Sequence, residues 1–186
     1  MLDLLSLLDK DILYFIDKLS SFTISKKENL YGLLSDYINF GKENEITFLD
    51  TENVTNMSNL FRNRHSFNTL LLWNTTNVFA MNYMFSSNYI YNQPIYFKID
   101  NLISCVNMFI LCKKFNQKIN WNTPKLKYCN GMFLNASDFN QKINWTIKSD
   151  KGSCHMFYGT NMSKENLPLW YKAPAIKTIG TQQYFS

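Results

Sequence analysis

The chain has 186 residues and a formal net charge of +5, with 46% hydrophobic and 16% aromatic side chains. Such apolar content excludes a disordered chain, and the length suits one domain with a small appendage. The charge is uneven: residues 1–50 hold nine acids and five bases, for −4, while residues 51–186 hold five acids and fourteen bases, for +9.

The first element in chain order is a leucine-rich stretch over residues 2–20. Leu4, Leu5, Leu8, Ile12, Phe15, Ile16 and Leu19 fall near helical spacing, interleaved with Asp9, Asp11 and Asp17. A second helix is predicted from Ser25, because Ser25-Lys26-Lys27-Glu28 fits a capping box. Leu30, Leu33, Leu34, Tyr37 and Ile38 give it an apolar face, and Gly41 ends it. Residues 1–45 are therefore expected to form a helical cap over the open edge of residues 46–170, since an exposed sheet end templates aggregation. The segment LLSLLDKDILYFIDKLSSF also faintly resembles an F-box. That resemblance implies a substrate adaptor docking a ubiquitin-ligase core through residues 1–40. The longest apolar run here, Ile12 to Ile16, is far short of the roughly 20 residues of a membrane span. No basic region precedes the leucines and Asp3 stands among the first residues, so no secretory signal is expected.

From residue 46 a period takes over. Phe61, Phe85, Phe109, Phe133 and Phe157 succeed one another every 24 residues, each preceded by Leu60, Met84, Met108, Met132 or Met156. Seven residues before the Phe stand Val54, Val78, Leu102 and Leu126; four before it, Met57, Met81, Cys105 and Cys129. Six after it come Phe67, Tyr91, Phe115 and Phe139, each followed by an Asn: Asn68, Asn92, Asn116 and Asn140. Ten after it stand Leu71, Ile95, Ile119, Ile143 and Leu167; twelve after it, Trp73, Phe97, Trp121, Trp145 and Leu169. Self-similarity at this period predicts a repeat solenoid, in which each coil buries its apolar face against its neighbours and the columns become continuous ladders. Gln117-Lys118-Ile119-Asn120-Trp121 and Gln141-Lys142-Ile143-Asn144-Trp145 alternate as half-buried strands do. They predict one short-stranded parallel sheet. A buried Asn column needs partners, and backbone groups of adjacent coils would supply them. The fifth repeat departs from the template, with Ser163 for the aromatic and Lys164 for the Asn, as a terminal coil facing water requires. Residues 171–186 are expected to be a C-terminal tail or cap.

The segment DTENVTNMSNLF and the two FNQKINW segments resemble the BspA-like leucine-rich repeat. More specifically, they resemble its variant in mycoplasma-type surface lipoproteins, also met in large DNA viruses and protists. The resemblance covers about residues 46–170 and implies a right-handed solenoid with one parallel sheet and protein–protein or adhesive roles. It implies no catalytic residues. The lipoproteins' secretion signal and lipid-attachment cysteine have no counterpart here, which points to the cell interior, or to a virion on the viral branch.

No motif argues for catalysis, and none argues for a cofactor or metal. Cys105 and Cys129 share a column with Met57 and Met81 and read as small core residues. Cys112 matches no column, Cys154 lies one place off the Met/Cys column, and no CxxC is present. His65 and His155 stand in different repeats without Asp or Cys partners. Gly occurs only six times and no phosphate-cradling loop follows a strand. The expectation is a non-enzymatic module.

What remains is the outward side of the strands, nine and eleven residues after each Phe. These positions hold Leu70 and Leu72, Pro94 and Tyr96, Lys118 and Asn120, Lys142 and Asn144, then Asn166 and Pro168. They form an apolar, aromatic patch that passes into a basic, polar strip, the kind of surface across which solenoids bind partners. A protein partner is the expected one. Nucleic acid on the basic repeats is the alternative, although the aromatics fall in core columns rather than outward stacking positions. Open ends would also let copies assemble end to end.

Overall fold

The computed structural model describes residues 46–47, 49–149 and 152–172. The helices expected within residues 1–45, and with them the cap and the F-box-like module, lie outside the described residues. So does the tail beyond Lys172.

Each repeat is organised around its Phe by a run of tight turns. In the second repeat, the Met84 N–H donates to the Met81 carbonyl (3.3 Å), Ser86 to Tyr83 (3.1 Å) and Asn88 to Phe85 (3.0 Å). Tyr83 and Ser87 are each the third residue of such a turn and have φ of 56° and 61°, where a type II turn requires a positive value. The same two places, two before and two after the Phe, are left-handed throughout. They hold Asn59, Tyr83, Asn107, Gly131 and His155 on one side, and Asn63, Ser87, Leu111, Asn135 and Gly159 on the other. Glycine takes this conformation freely and asparagine readily, whereas Tyr83 or Leu111 costs about 1–2 kcal/mol there.

Hydrogen bonding between repeats offsets that strain. Met81, Tyr83, Phe85 and Ser87 donate to the carbonyls of Ser104, Val106, Met108 and Ile110 at 2.9, 2.9, 2.9 and 2.8 Å, each 23 residues on. The same four bonds recur from Met57, Asn59, Phe61 and Asn63, from Cys105, Asn107, Phe109 and Leu111, and from Cys129, Gly131, Phe133 and Asn135. In the first four repeats both left-handed residues are thus donors in this ladder, and each of its bonds runs from a repeat to the next. Isolated parallel bridges join Asn56 to Ala80, Ala80 to Ser104 and Ser104 to Tyr128 along this line.

The register aligns the side chains. Phe61, Phe85, Phe109, Phe133 and Phe157 stack face to face with centroids 5.5, 5.4, 5.7 and 5.8 Å apart. Phe67, Tyr91, Phe115 and Phe139 form a second stack at 5.9, 6.1 and 5.9 Å. Within a repeat the two rings lie 4.0–4.3 Å apart. Met84, Met108, Met132 and Met156 are buried beside them, as are Trp73, Trp121 and Trp145. Tyr171 ends the first stack edge-on, 4.9 Å from Phe157.

One member of the double stack is mismatched. The Tyr91 ring is buried among phenylalanines and its hydroxyl has no hydrogen-bond partner among the described residues. An unpaired buried hydroxyl costs about 1–3 kcal/mol. Tyr91→Phe is therefore expected to raise stability by about 1 kcal/mol, read as a higher urea midpoint. An unchanged or lower midpoint would show that the hydroxyl finds a partner.

The expected sheet does not stand where the alternation placed it. Residues 117–121 and 141–145 alternate in burial as predicted, yet among the described residues they form no strand, and the parallel bridges lie five residues before the Phe. Directly upstream of these windows the rungs are joined through the Asn column instead. The backbone N–H groups of Asn92, Asn116 and Asn140 donate to side-chain Oδ1 atoms of Asn68, Asn92 and Asn116, at 2.9, 3.0 and 3.0 Å. At this one position a side-chain oxygen is the acceptor where a strand ladder would use a backbone carbonyl. The Asn role itself, joining backbone groups across repeats, is the one the sequence indicates, but the column is not buried: Asn68 and Asn92 are exposed, Asn116 and Asn140 half-buried. The series runs on through the Ser163 N–H, which donates to Asn140 Oδ1 at 2.8 Å.

Two further positions differ from the template. Leu169 is fully exposed, and Trp170 takes its column instead, with its ring 6.0 Å from Trp145 and its Nε1 donating to the Trp145 carbonyl at 2.7 Å. Pro168, placed outward by the template, is buried, and Asn166 is half-buried because its amide donates to Asn140. The last repeat, having lost its aromatic at Ser163, closes one residue out of phase.

Candidate interaction face

Inward and outward positions separate immediately after the Asn column. Leu71, Trp73, Ile95, Phe97, Ile119, Trp121, Ile143 and Trp145 are buried. Between them Leu72 is 44% and Tyr96 63% exposed, values high enough for direct contact with another molecule. Lys118, Asn120, Lys142 and Asn144 are exposed, while Leu70 and Pro94 are half-buried at the margin. Adjacent rungs hold these side chains in columns, because Asn116 and Asn140 fix the register directly upstream of the two lysines. Gln117 and Gln141 reinforce it, donating to Asn92 and Asn116 Oδ1 at 3.0 Å each.

A cleft of about 590 Å³ opens on this face. Pro94, Tyr96, Asn116, Gln117, Lys118, Asn120 and Gln141 line it, with Ile95 and Phe97 at its floor. It brings four of the eight expected contact residues together: Pro94, Tyr96, Lys118 and Asn120. Leu70, Leu72, Lys142 and Asn144 flank it on neighbouring rungs rather than lining it. In the windows 69–73, 93–97, 117–121 and 141–145 the only charged residues are Lys118 and Lys142.

The column four residues after each Phe makes a second surface that the repeat pattern does not mark. His65 stacks on Tyr89 at 4.6 Å and 8°, its Nδ1 lies 2.8 Å from the Ser87 carbonyl, and Lys113 Nζ sits 5.3 Å from the Tyr89 ring centre. A cleft of about 490 Å³ adjoins it, lined by Tyr89, Leu111, Lys113, Asn135, Ser137 and Gly159. The only sequence signal is positional: 65, 89 and 113 share one column, but His, Tyr and Lys share no chemistry that a pattern search weighs.

The cysteines are core groups, Cys154 apart. Cys105 Sγ lies 3.6 Å from Met132 Sδ, and Cys129 Sγ 3.7 Å from Met156 Sδ. Cys112 belongs to a column after all. Its thiol donates to the Phe85 carbonyl at 2.9 Å, as the buried Asn88 amide does to Phe61 one repeat earlier, also at 2.9 Å. Burial pushes the Cys105 and Cys112 thiols well up and that of Cys129 to about 12. They stay protonated at neutral pH and are poor nucleophiles. Cys154 is exposed. Among the described residues no group of three or more His, Cys, Asp or Glu gathers to hold a metal ion, and no helix is long and apolar enough to cross a membrane.

Comparison with known proteins gives one family. The family described as "Mycoplasma protein of unknown function, DUF285" matches the chain over residues 10–97, 28–143 and 69–170. No curated protein and no solved structure matches it. The three overlapping matches run together from residue 10 to residue 170, most of the chain. The chain belongs to this mycoplasma-type repeat family.

Proposed function

We propose that residues 46–170 form a BspA-like leucine-rich-repeat solenoid that acts without catalysis, as a protein–protein interaction or scaffold module. The observation that carries this reading is the face bearing Leu72, Tyr96, Lys118 and Lys142. Side chains repeated every 24 residues are exposed there in one register. Large apolar groups left in water beside a polar rim are what contact surfaces consist of. The inward rings that alternate with the face are themselves packed, Trp121 against Trp145 at 5.9 Å, which lends the surface rigidity.

The test is a double variant, Leu72→Asp with Tyr96→Asp. Exposed substitutions usually stay within about 0.5 kcal/mol each, so the far-UV spectrum and melt should hardly move. Affinity capture from the native source should then lose the proteins that the parent chain retains, because unpaired charge has been placed in the apolar half of the contact. An identical captured set from parent and variant would sink the assignment of this face. An unfolded variant would place Leu72 and Tyr96 in the core instead.

A further inference from the structure

Resting on that reading of the face, we propose that its ligand is a short, extended, acidic protein segment: a large apolar side chain followed within about five residues by paired carboxylates. Two observations support this. First, the face changes character along the stack. Leu72 and Tyr96 expose apolar surface on the first two rungs, and the next two carry Lys118 and Lys142 in one column. Second, among the described residues no carboxylate pairs with either lysine. Lys114 is paired with Asp138 at 3.1 Å and Lys125 bonds Asn101 Oδ1 at 2.6 Å, whereas the cleft around Lys118 is lined by amides and apolar groups without any carboxylate. Like charges on adjacent rungs repel, and a bound anion relieves that repulsion.

The dimensions set the ligand's length. Hydrogen-bonded neighbouring chains lie about 5 Å apart, so four rungs span roughly 15 Å, and an extended chain covers that in about five residues at about 3.3 Å each. Such a segment lying along the stack puts its apolar side chain against Tyr96 and its carboxylates over Lys118 and Lys142. Asn120, and the amide oxygens of Gln117 and Gln141 whose N–H groups hold Asn92 and Asn116, are placed to meet its backbone, since an extended peptide presents unpaired N–H and C=O groups. Nucleic acid fits less well, because half of the face is uncharged and apolar and Tyr96 is its one exposed ring.

The experiment is a selection from a random heptapeptide display library against three full-length chains: the parent, Lys118→Glu with Lys142→Glu, and Leu72→Asp with Tyr96→Asp. The parent should enrich peptides with a large apolar residue followed within about five positions by two acids. The lysine variant should enrich Lys or Arg at those acidic positions while keeping the apolar residue. A synthetic peptide of the winning sequence should bind the lysine variant at least about tenfold more weakly than the parent. Enrichment that follows Leu72 and Tyr96 but ignores the lysines would overturn the acidic ligand and leave the face standing. Enrichment indifferent to both variants, or none at all, would overturn the face as well. Tight, steeply salt-dependent binding of a mixed-sequence single-stranded oligonucleotide, lost only in the lysine variant, would replace the peptide with nucleic acid.

Discussion

Phe109→Ala is expected to destabilise the protein by about 3–5 kcal/mol, the range for truncating a fully buried phenylalanine. The ring touches four others: Phe85 at 5.4 Å, Phe133 at 5.7 Å, Phe115 at 4.1 Å and Tyr91 at 6.4 Å. No side chain can collapse into the gap, because each neighbour is itself held in the stack. The Phe109 N–H also donates to the Met132 carbonyl at 2.8 Å, so a backbone shift that filled the cavity would break the ladder. The damage should therefore spread to both adjacent repeats rather than stay local. Hydrogen exchange should show amides of residues 81–88 and 129–136 losing protection together with those of 105–112. A urea midpoint equal to the parent's would mean that the ring column is not the core.

Gly152→Ala is the other large effect, and it is larger than its chemistry suggests. A Cβ on Gly152 would run into the backbone carbonyl of Lys127. Neither side can give way: the Gly152 carbonyl accepts from Cys129 at 2.6 Å, and the Lys127 N–H is committed to Ile103 at 2.9 Å. Overpacking against backbone costs about 1–3 kcal/mol, here at the interface between the fourth and fifth repeats. Gly131→Ala makes the control. Its φ is positive, but the added Cβ would meet the end of the Asn107 side chain, which can swing away. The left-handed conformation then costs about 1–2 kcal/mol. Thermal melts should rank Gly152→Ala below Gly131→Ala, and the reverse order would show that the fourth interface is looser than its hydrogen bonds imply.

The ladder columns were legible because they are chemically uniform. Phe at 61, 85, 109, 133 and 157 needs no alignment, and the burial of Ile119 and Trp121 beside exposed Lys118 and Asn120 follows from simple alternation. The Asn column was legible for the same reason, down to its bonding across repeats. The left-handed positions were not. Their occupants are Asn, Tyr, Asn, Gly and His in one column and Asn, Ser, Leu, Asn and Gly in the other. The common requirement is a backbone angle, and hydrogen bonds to the next repeat force it even on Tyr83 and Leu111. The line of parallel bridges was missed for a related reason: Asn56, Ala80, Ser104 and Tyr128 share no side-chain property, because their backbones do the pairing. Trp170 escaped because the phase slips where the ring column ends. On the face, Tyr96 and Lys118 could be placed from the sequence, but their meeting in one cleft could not, since it depends on how far apart the Asn bonds hold the rungs.

The ladder around the Phe limits which symmetry could continue it from one copy to another. Its four bonds at each interface have their donors on the earlier repeat, although flanking bonds such as Phe79 N–H to the Thr55 carbonyl run the other way. Among the described residues this leaves the carbonyls of Asn56, Ser58, Leu60 and Arg62 at its first edge and N–H groups at its last. A twofold axis through either edge would set like against like, carbonyl facing carbonyl or N–H facing N–H, and the ladder could not continue. Only a heterologous junction, first repeat upon fifth, extends the pattern, and a junction of that kind grows along a line instead of closing into a pair. Trp170 and Tyr171 stand across that growing end, against Trp145 and Phe157. Two aromatic residues thus close the last described repeat where a sixth rung would otherwise lie.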